Sequence, residues 1–302
     1  MLTSRDSSVH PLVSVIVVAY RASDTIHKCL RSLLAQNSGI PFEVVVVESS
    51  ADGTAGALRG AYPGIQVLEC DRRKYAGEGR NIAIDVARGQ ILAFLDADCT
   101  VGPDWVSTVA RAHAESDRLV VGGIIDNGAR DRLMSWAYYF CEFNLWLPSA
   151  RPMLIPEIAG CCLSMKRGAF DRYGPFLAGT YCADTAFLRD MRRDGHLVQF
   201  VPAIRVYHHV ISSSLGHFLA HVFDHRKAYA QVTARQFRFS RPKRALWAAA
   251  QLLLPPLLFL LIASRVARSG YALKWFLAAS PLILAGITAR CAGELVGYLE
   301  KK

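Results

Sequence analysis

Residues 91–99 read Ile-Leu-Ala-Phe-Leu-Asp-Ala-Asp-Cys. An apolar run stops at two carboxylates, Asp96 and Asp98, one residue apart. Two acids this close resist full ionisation unless a cation or a hydrogen-bond donor sits between them. A hard divalent cation such as Mg²⁺ is the simplest partner, because it takes oxygen ligands and joins carboxylates to phosphates. An apolar run closed by turn chemistry predicts a buried parallel strand. Its C-terminal end lies at the edge of an open α/β sheet where ligands bind. Asp-x-Asp also occurs in plain solvated loops, so the surrounding elements have to decide.

Those elements alternate. Strands are predicted at Val13–Tyr20, Phe42–Glu48, Ile65–Glu69 and Ile91–Leu95. Helices are predicted between them at Thr25–Gln36 (with Asp24 as N-cap), Thr54–Tyr62 and Tyr75–Arg88. This β-α-β alternation predicts a mostly parallel sheet with right-handed crossovers. Further on, the pattern predicts helices at Asp104–Ser116, Trp136–Leu147 and Thr185–Asp194, and strands at Val120–Ile125, Cys161–Met165 and within Leu197–Val206. The aromatic run Trp136–Leu147 reads as core packing or as an acceptor- or lipid-contacting face. Gly77-Glu78-Gly79 lacks the third glycine of a dinucleotide loop, and no Walker-type phosphate loop occurs. Val13–Ala19 is too short for a secretory signal.

The charge is uneven. Residues 1–210 hold 22 basic and 22 acidic residues, while residues 211–302 hold 13 and 3, so the whole net charge of +10 lies in the C-terminal part. Basic residues there flank greasy ones, which suits anionic membrane lipids and not nucleic acid. A basic helix is predicted over Leu215–Phe239, with His217, His221 and His225 on one polar, interfacial face. Ala245–Ser264 then runs 20 residues without a charge, long enough for about 30 Å of helix. Pro255-Pro256 must kink or break it. Trp275–Ala289 is a second uncharged run. The two read as a hairpin or as broken helices in one leaflet, with the Gln231–Arg244 positives and Lys301-Lys302 on the cytoplasmic side. The eight cysteines include no Cys-x-x-Cys pair, which points to reduced, buried thiols and not to a disulfide frame or zinc site.

In family order over about residues 12–210, five segments resemble the family 2 glycosyltransferases, which are inverting enzymes with the GT-A fold. They are VSVIVVAYRASDTIHKCLRSLLAQ, FEVVVVESSADGT, GEGRNIAIDVARGQILAFLDADC, IAGCCLSMKRGAFDRYGPF and CADTAFLRDMRRDGHLVQFVPAIRVYHH. The resemblance implies an α/β, GT-A-type Rossmann-like sheet with flanking helices, and the charge and hydropathy pattern beyond it predicts a C-terminal helical membrane hairpin. The expected domains are a catalytic domain at 1–212, a basic juxtamembrane segment at 213–244 and two hydrophobic helices at 245–302. The resemblance implies transfer from a nucleoside diphosphate sugar to a hydroxyl acceptor, and the membrane segment suits a lipid-linked or cell-surface glycan acceptor at the cytoplasmic membrane face. Ala19 and Tyr20 would line the nucleoside pocket, Glu48 would bind the base and Arg80 would sit near the nucleotide. Asp96 would contact the ribose or a metal-bound water. Asp98 would hold Mg²⁺ or Mn²⁺, with His208 or His209 within reach, and Asp184 would be the general base. Read on the residues alone, Arg80 could instead form a helix-face salt bridge, and Asp184 reads first as the N-cap of Thr185–Asp194. Two departures stand out: Glu48 where the family usually has Asp, and Ala183 where an acid usually precedes the base. They keep open a sugar-nucleotide-binding scaffold without activity. A sugar-phosphate nucleotidyltransferase shares the layer architecture but needs a Gly-rich loop after its first strand, where this chain has VVAYRAS.

Overall fold

The computed structural model describes Leu2 and residues 9–148, 151–210 and 214–300. The described chain divides into two compact units, one comprising 1–125 with 149–208 and the other 126–148 with 209–302. The expected boundary between residues 212 and 213 and the Lys301-Lys302 tail lie outside the described residues.

The first unit begins with β1 (Val13–Ala19), α1 (Ser23–Leu34), β2 (Phe42–Glu48), α2 (Thr54–Ala61), β3 (Gln66–Glu69), α3 (Ala76–Ile84) and β4 (Ile91–Asp96). It continues with β5 (Cys99–Val101), α4 (Trp105–Ala114), β6 (Val120–Asn127), α5 (Leu133–Glu142), which belongs to the second unit, and β7 (Met153–Ile155). A three-ten turn at Gly160–Cys162 leads into β8 (Leu163–Lys166), α6 (Arg167–Tyr173), α7 (Ala183–Arg193) and β9 (Val198–His208). The sheet order is β3-β2-β1-β4-β8-β6-β9-β5, with β7 on β9.

Parallel pairing joins β3, β2, β1 and β4, as the alternating pattern predicts. These strands read Val-rich because both faces are covered, and β2 is buried at every position. From β8 onward the pairing is antiparallel. β5, β7 and α6 are too short to leave a periodic signal in the sequence. Asp24 is not the N-cap of α1. Ala22 takes that position, and Asp24 sits in the first turn, where its charge still complements the helix dipole. Helix α3 stops at Ile84, short of Arg88, because the chain turns to bring Arg88 Nε within 3.1 Å of buried Glu43 and the Gly89 N–H within 2.7 Å of Ser14 Oγ.

The second unit holds α5, α8 (Leu215–Gln236), α9 (Arg241–Ala250), α10 (Leu254–Ser269) and α11 (Leu273–Leu299). Pro255 and Pro256 fall in the first turn of α10, where the missing N–H costs least. The greasy run is therefore two helices, α9 and α10, bent by 63°. Helix α11 has 27 residues and is the one described helix long and apolar enough by itself to cross a membrane. It packs on α8 through Gly293 and Gly297, whose missing side chains let the backbone carbonyls of Phe223 and Lys227 approach. On that face Glu294 accepts hydrogen bonds from Arg226. The histidine stripe of α8 does not form an open polar face. His221 shares a 2.9 Å hydrogen bond with the Tyr138 hydroxyl of α5, and His225 lies 3.5 Å from Glu142. All eight cysteines are free and buried.

Candidate active site

Strand register builds the site. Ala19 lies opposite Glu48 across the β1–β2 ladder, and Val18 lies opposite Asp96 across β1–β4. The C-terminal ends of three adjacent strands therefore present Ala19-Tyr20, Glu48 and Asp96 along one edge, the usual ligand side of an open sheet. A tight turn after Asp96 leads into β5, which pairs antiparallel with β9, so that Cys99 faces His208. Asp98 Oδ1 lies 3.6 Å from His208 Nε2. Ligand atoms of Asp96, Asp98 and His208 all fall within 4.8 Å of one another. His209, the other candidate, lies against Gly128 in the second unit.

Arg80 is the buried counter-charge. Its guanidinium donates to Asp96 Oδ1 at 3.2 Å and lies over the rings of Phe94 and Phe176. Its Nε is buried without a hydrogen-bond partner among the described residues. The helix carrying it is fixed at both ends of its contact surface. At its start the Tyr75 N–H donates to Glu78 Oε2 at 3.3 Å, and Asn81 exchanges two hydrogen bonds with the Phe176 backbone at 2.9 and 3.0 Å. Burial pushes the Asp96 carboxyl up, Arg80 pulls it back down, and the negative charges of Asp98 and Asp184 raise it again. A cation near this pair would relieve that repulsion.

Asp184 joins the cluster through Gly160. The Gly160 N–H donates to Asp184 Oδ2 at 2.6 Å, and the Thr185 N–H donates to Oδ1 at 2.9 Å. Gly160 also lies flat against Arg80: a Cβ built there would meet the guanidinium nitrogens at 2.3 and 2.4 Å. One glycine thus touches both the residue paired with Asp96 and the residue expected as base. The turn into α7 puts Cys182 at φ 61°, a left-handed conformation that costs a non-glycine residue about 1 kcal/mol. Such strain immediately before Asp184 marks a position fixed by its surroundings. Ala183 is buried, and its Cβ lies 2.6 Å from where a Gly77 Cβ would stand. That close approach requires the glycine at position 77.

Glu48 is fully buried. Its Oε1 accepts from the N–H of Ser50 at 2.9 Å and from the Ser50 hydroxyl, while Oε2 is buried without a hydrogen-bond partner among the described residues. Glu43, at the other end of the same strand, shows the contrast: Ser14 and Arg88 satisfy both its oxygens. A buried, unmatched acceptor oxygen is costly unless a ligand supplies the donor. Tyr20, next to Ala19, packs under Arg73, which lies 4.7 Å from the Tyr20 and Tyr75 ring centres and donates to the Tyr181 hydroxyl at 3.0 Å.

A family model, glycosyl transferase family 2, matches residues 14–174, more than half of the chain. The chain belongs to family 2 of the glycosyltransferases. The match contains Tyr20, Glu48, Arg80, Asp96 and Asp98, whereas Asp184 and His208 lie beyond it. The succinoglycan biosynthesis protein ExoO of Rhizobium meliloti is 37% identical over 117 residues, 38% of this chain and 33% of that protein. Glycosyltransferase AglE of Haloferax volcanii is 34% identical over 129 residues, 40% of this chain and 41% of that protein. The chain therefore spans less than half the length of these curated relatives. A mannosyltransferase from Pyrobaculum calidifontis, solved with GDP-mannose and Mn²⁺, superposes with a TM-score of 0.63 at 22% identity, covering 97% of this chain and 89% of that one. That likeness establishes the GT-A fold. Membership of this family sets aside the nucleotidyltransferase reading.

Three contributors were not legible in sequence. Gly160 reads as one small residue in Ala-Gly-Cys-Cys, and its role comes from backbone placement alone. Asn81 acts through a loop 95 positions away. Arg73 gathers three tyrosines that no local spacing connects.

Proposed function

We propose that this glycosyltransferase moves a sugar from a nucleoside diphosphate sugar to a hydroxyl acceptor in one inverting displacement. The observation that carries the reading is the convergence of Asp96, Asp98, His208, Arg80 and Asp184 around the Gly160 turn. The donor set fits a divalent cation: two carboxylates supply hard oxygens, and the imidazole suits Mn²⁺ better than Mg²⁺. Asp98 and His208 would hold it, with Asp96 alongside. When bound, the cation supplies positive charge to the departing diphosphate.

The residues divide the remaining work. Glu48 Oε2 accepts an N–H from the nucleobase. Ala19 and Tyr20 line the nucleoside pocket. Arg80 holds Asp96 in place and favours its charged form against burial. Asp184, held by two backbone N–H donors, takes the proton of the acceptor hydroxyl as that oxygen attacks the anomeric carbon. With a single carboxylate in the base role, displacement inverts the anomeric centre.

The second unit supports a membrane reading, with the acceptor a lipid-linked or cell-surface glycan and the site facing the cytoplasm. Leu246, Leu260 and Leu277 on α9, α10 and α11, and Leu252 and Leu253 in the turn between α9 and α10, are each at least 64% exposed, and Arg241, Lys243, Arg268 and Lys274 lie on the same three helices. Exposed apolar residues beside positive charge suit an anionic bilayer surface.

The test is a thermal-shift screen of UDP-, GDP- and dTDP-sugars with and without Mn²⁺, followed by turnover of the stabilising donor. A Mn²⁺-dependent shift with turnover that falls in Asp98→Ala and Asp184→Asn supports the reading. Binding with no turnover against any acceptor would leave a non-catalytic scaffold.

A further inference from the structure

Beneath the carboxylate pair lies a soft donor set that the transfer reaction does not use. Cys99 faces His208 across the β5–β9 ladder, and Cys161 reaches the same point from the three-ten turn. Ligand atoms of Cys99, Cys161 and His208 fall within 4.8 Å of one another. Asp98 Oδ1 lies beside this set, 3.8 Å from Cys99 Sγ and 3.6 Å from His208 Nε2. Zinc bonds of about 2.3 Å to sulfur and about 2.0 Å to nitrogen call for ligand atoms about 3.5 to 3.8 Å apart, within small side-chain rotations of the three donors. Cys99 and Cys161 are buried, at 0% and 2% exposure, while the Asp98 side chain keeps 33% and gives a way in.

The geometry points to a second metal site formed by Cys99, Cys161 and His208, selective for thiophilic cations such as Zn²⁺ and competing for His208 with the Asp96–Asp98–His208 set. Two thiolates and an imidazole supply three protein ligands of the zinc type, and a water completes the tetrahedron. Each Zn²⁺ displaces two thiol protons to the buffer. It also takes His208 away from the edge where the donor diphosphate is proposed to bind. Zinc is thereby an inhibitor of this chain and not a substitute for Mn²⁺. The backbone spacing that brings His208 to Asp98 brings it equally to Cys99, so the choice of cation rests on which donors the imidazole joins.

The test uses the full chain, reduced with a phosphine, and Co²⁺ as the probe, so no turnover is needed and the donor assignment can fail without affecting the result. One equivalent of Co²⁺ is expected to give a thiolate-to-cobalt charge-transfer band that Zn²⁺ bleaches. The band is expected to be lost in Cys99→Ser and in Cys161→Ser and kept in Cys162→Ser, whose sulfur turns away toward the Ile124 carbonyl. Zinc-edge X-ray absorption on the unaltered chain covers the case of a serine variant that does not fold. Two sulfur scatterers at about 2.3 Å are expected. A zinc shell of nitrogen and oxygen alone, or a cobalt band unchanged in both serine variants, would overturn the proposal. In a working transfer assay, Zn²⁺ is expected to raise the Mn²⁺ concentration for half-activity at least tenfold, and no such competition would count against it.

Discussion

Gly160→Ala is the smallest change that reaches both halves of the site. A Cβ at position 160 meets Arg80 NH2 at 2.3 Å, NH1 at 2.4 Å and the guanidinium carbon at 2.6 Å. Ordinary carbon contacts lie near 3.5 Å, so the guanidinium must move by about 1 Å. Arg80 is buried under Phe94 and Phe176 and has little room to do so. Its 3.2 Å bond to Asp96 is the contact that gives way. A hydrogen bond to a charged group contributes about 1.5–3 kcal/mol, and overpacking adds about 1–3 kcal/mol of destabilisation. Misplacing a site group by about 1 Å lowers kcat/KM roughly 100-fold. The assay is kcat/KM for the Mn²⁺-dependent donor, with melting curves on the same samples. Gly56→Ala is the control: nothing lies within 4 Å of that Cβ, and an alanine there stabilises α2 by about 0.5–1 kcal/mol. If Gly160→Ala keeps kcat/KM within twofold of the starting protein while folded, the Arg80–Asp96 pair does not position the donor.

Asp184→Asn preserves shape and removes the base, so kcat is expected to fall by about 10²–10⁴-fold with donor affinity within twofold, read by single-turnover kinetics. Glu48→Gln places an amide where an unmatched acceptor oxygen stands, and calorimetry is expected to show nucleotide binding weakened about tenfold or more, with a charge-assisted bond lost. His113 is buried against Ser164 at 3.0 Å, and desolvation lowers its pKa from 6.5 to about 4. Because the unfolded chain takes up this proton first, the stabilisation is complete above pH 6.5 and is lost as pH falls toward 4, about 3 kcal/mol in all. Denaturation midpoints measured across that window are expected to flatten in His113→Gln. Leu252→Ser with Leu253→Ser is expected to weaken flotation with anionic liposomes without altering the melting of the first unit, whereas unchanged flotation would count against the lipid face.

The parallel half of the sheet was readable because each strand is an unbroken Val-rich or Leu-rich run and each helix repeats Leu or Ala at helical spacing. Asp96 and Asp98 were readable because chain direction alone puts them at the sheet edge. Asp184 and His208 were placed by resemblance, since the contacts that draw them in come from β8, β9 and the Gly160 turn, whose pairings span most of the chain. The antiparallel half was less legible for the same reason: β5 and β7 are three-residue strands that exist only because β9 pairs with them. Sequence shows which residues share a helix face and not which element covers that face, so the α5 partners of His221 and His225 have no local signature. Glu48 kept its expected strand end, but only coordinates show one oxygen engaged with Ser50 and the other left buried.

The central claim is a single displacement with Asp184 as base and a cation-held diphosphate leaving on the far side. Proton NMR of the first sugar transferred, or released to water, from an α-linked donor tests it most directly. A β-configured product is expected at the earliest time point, before any mutarotation. An α-configured product would require two displacements and a nucleophile on the protein, and would contradict the assignment of Asp184.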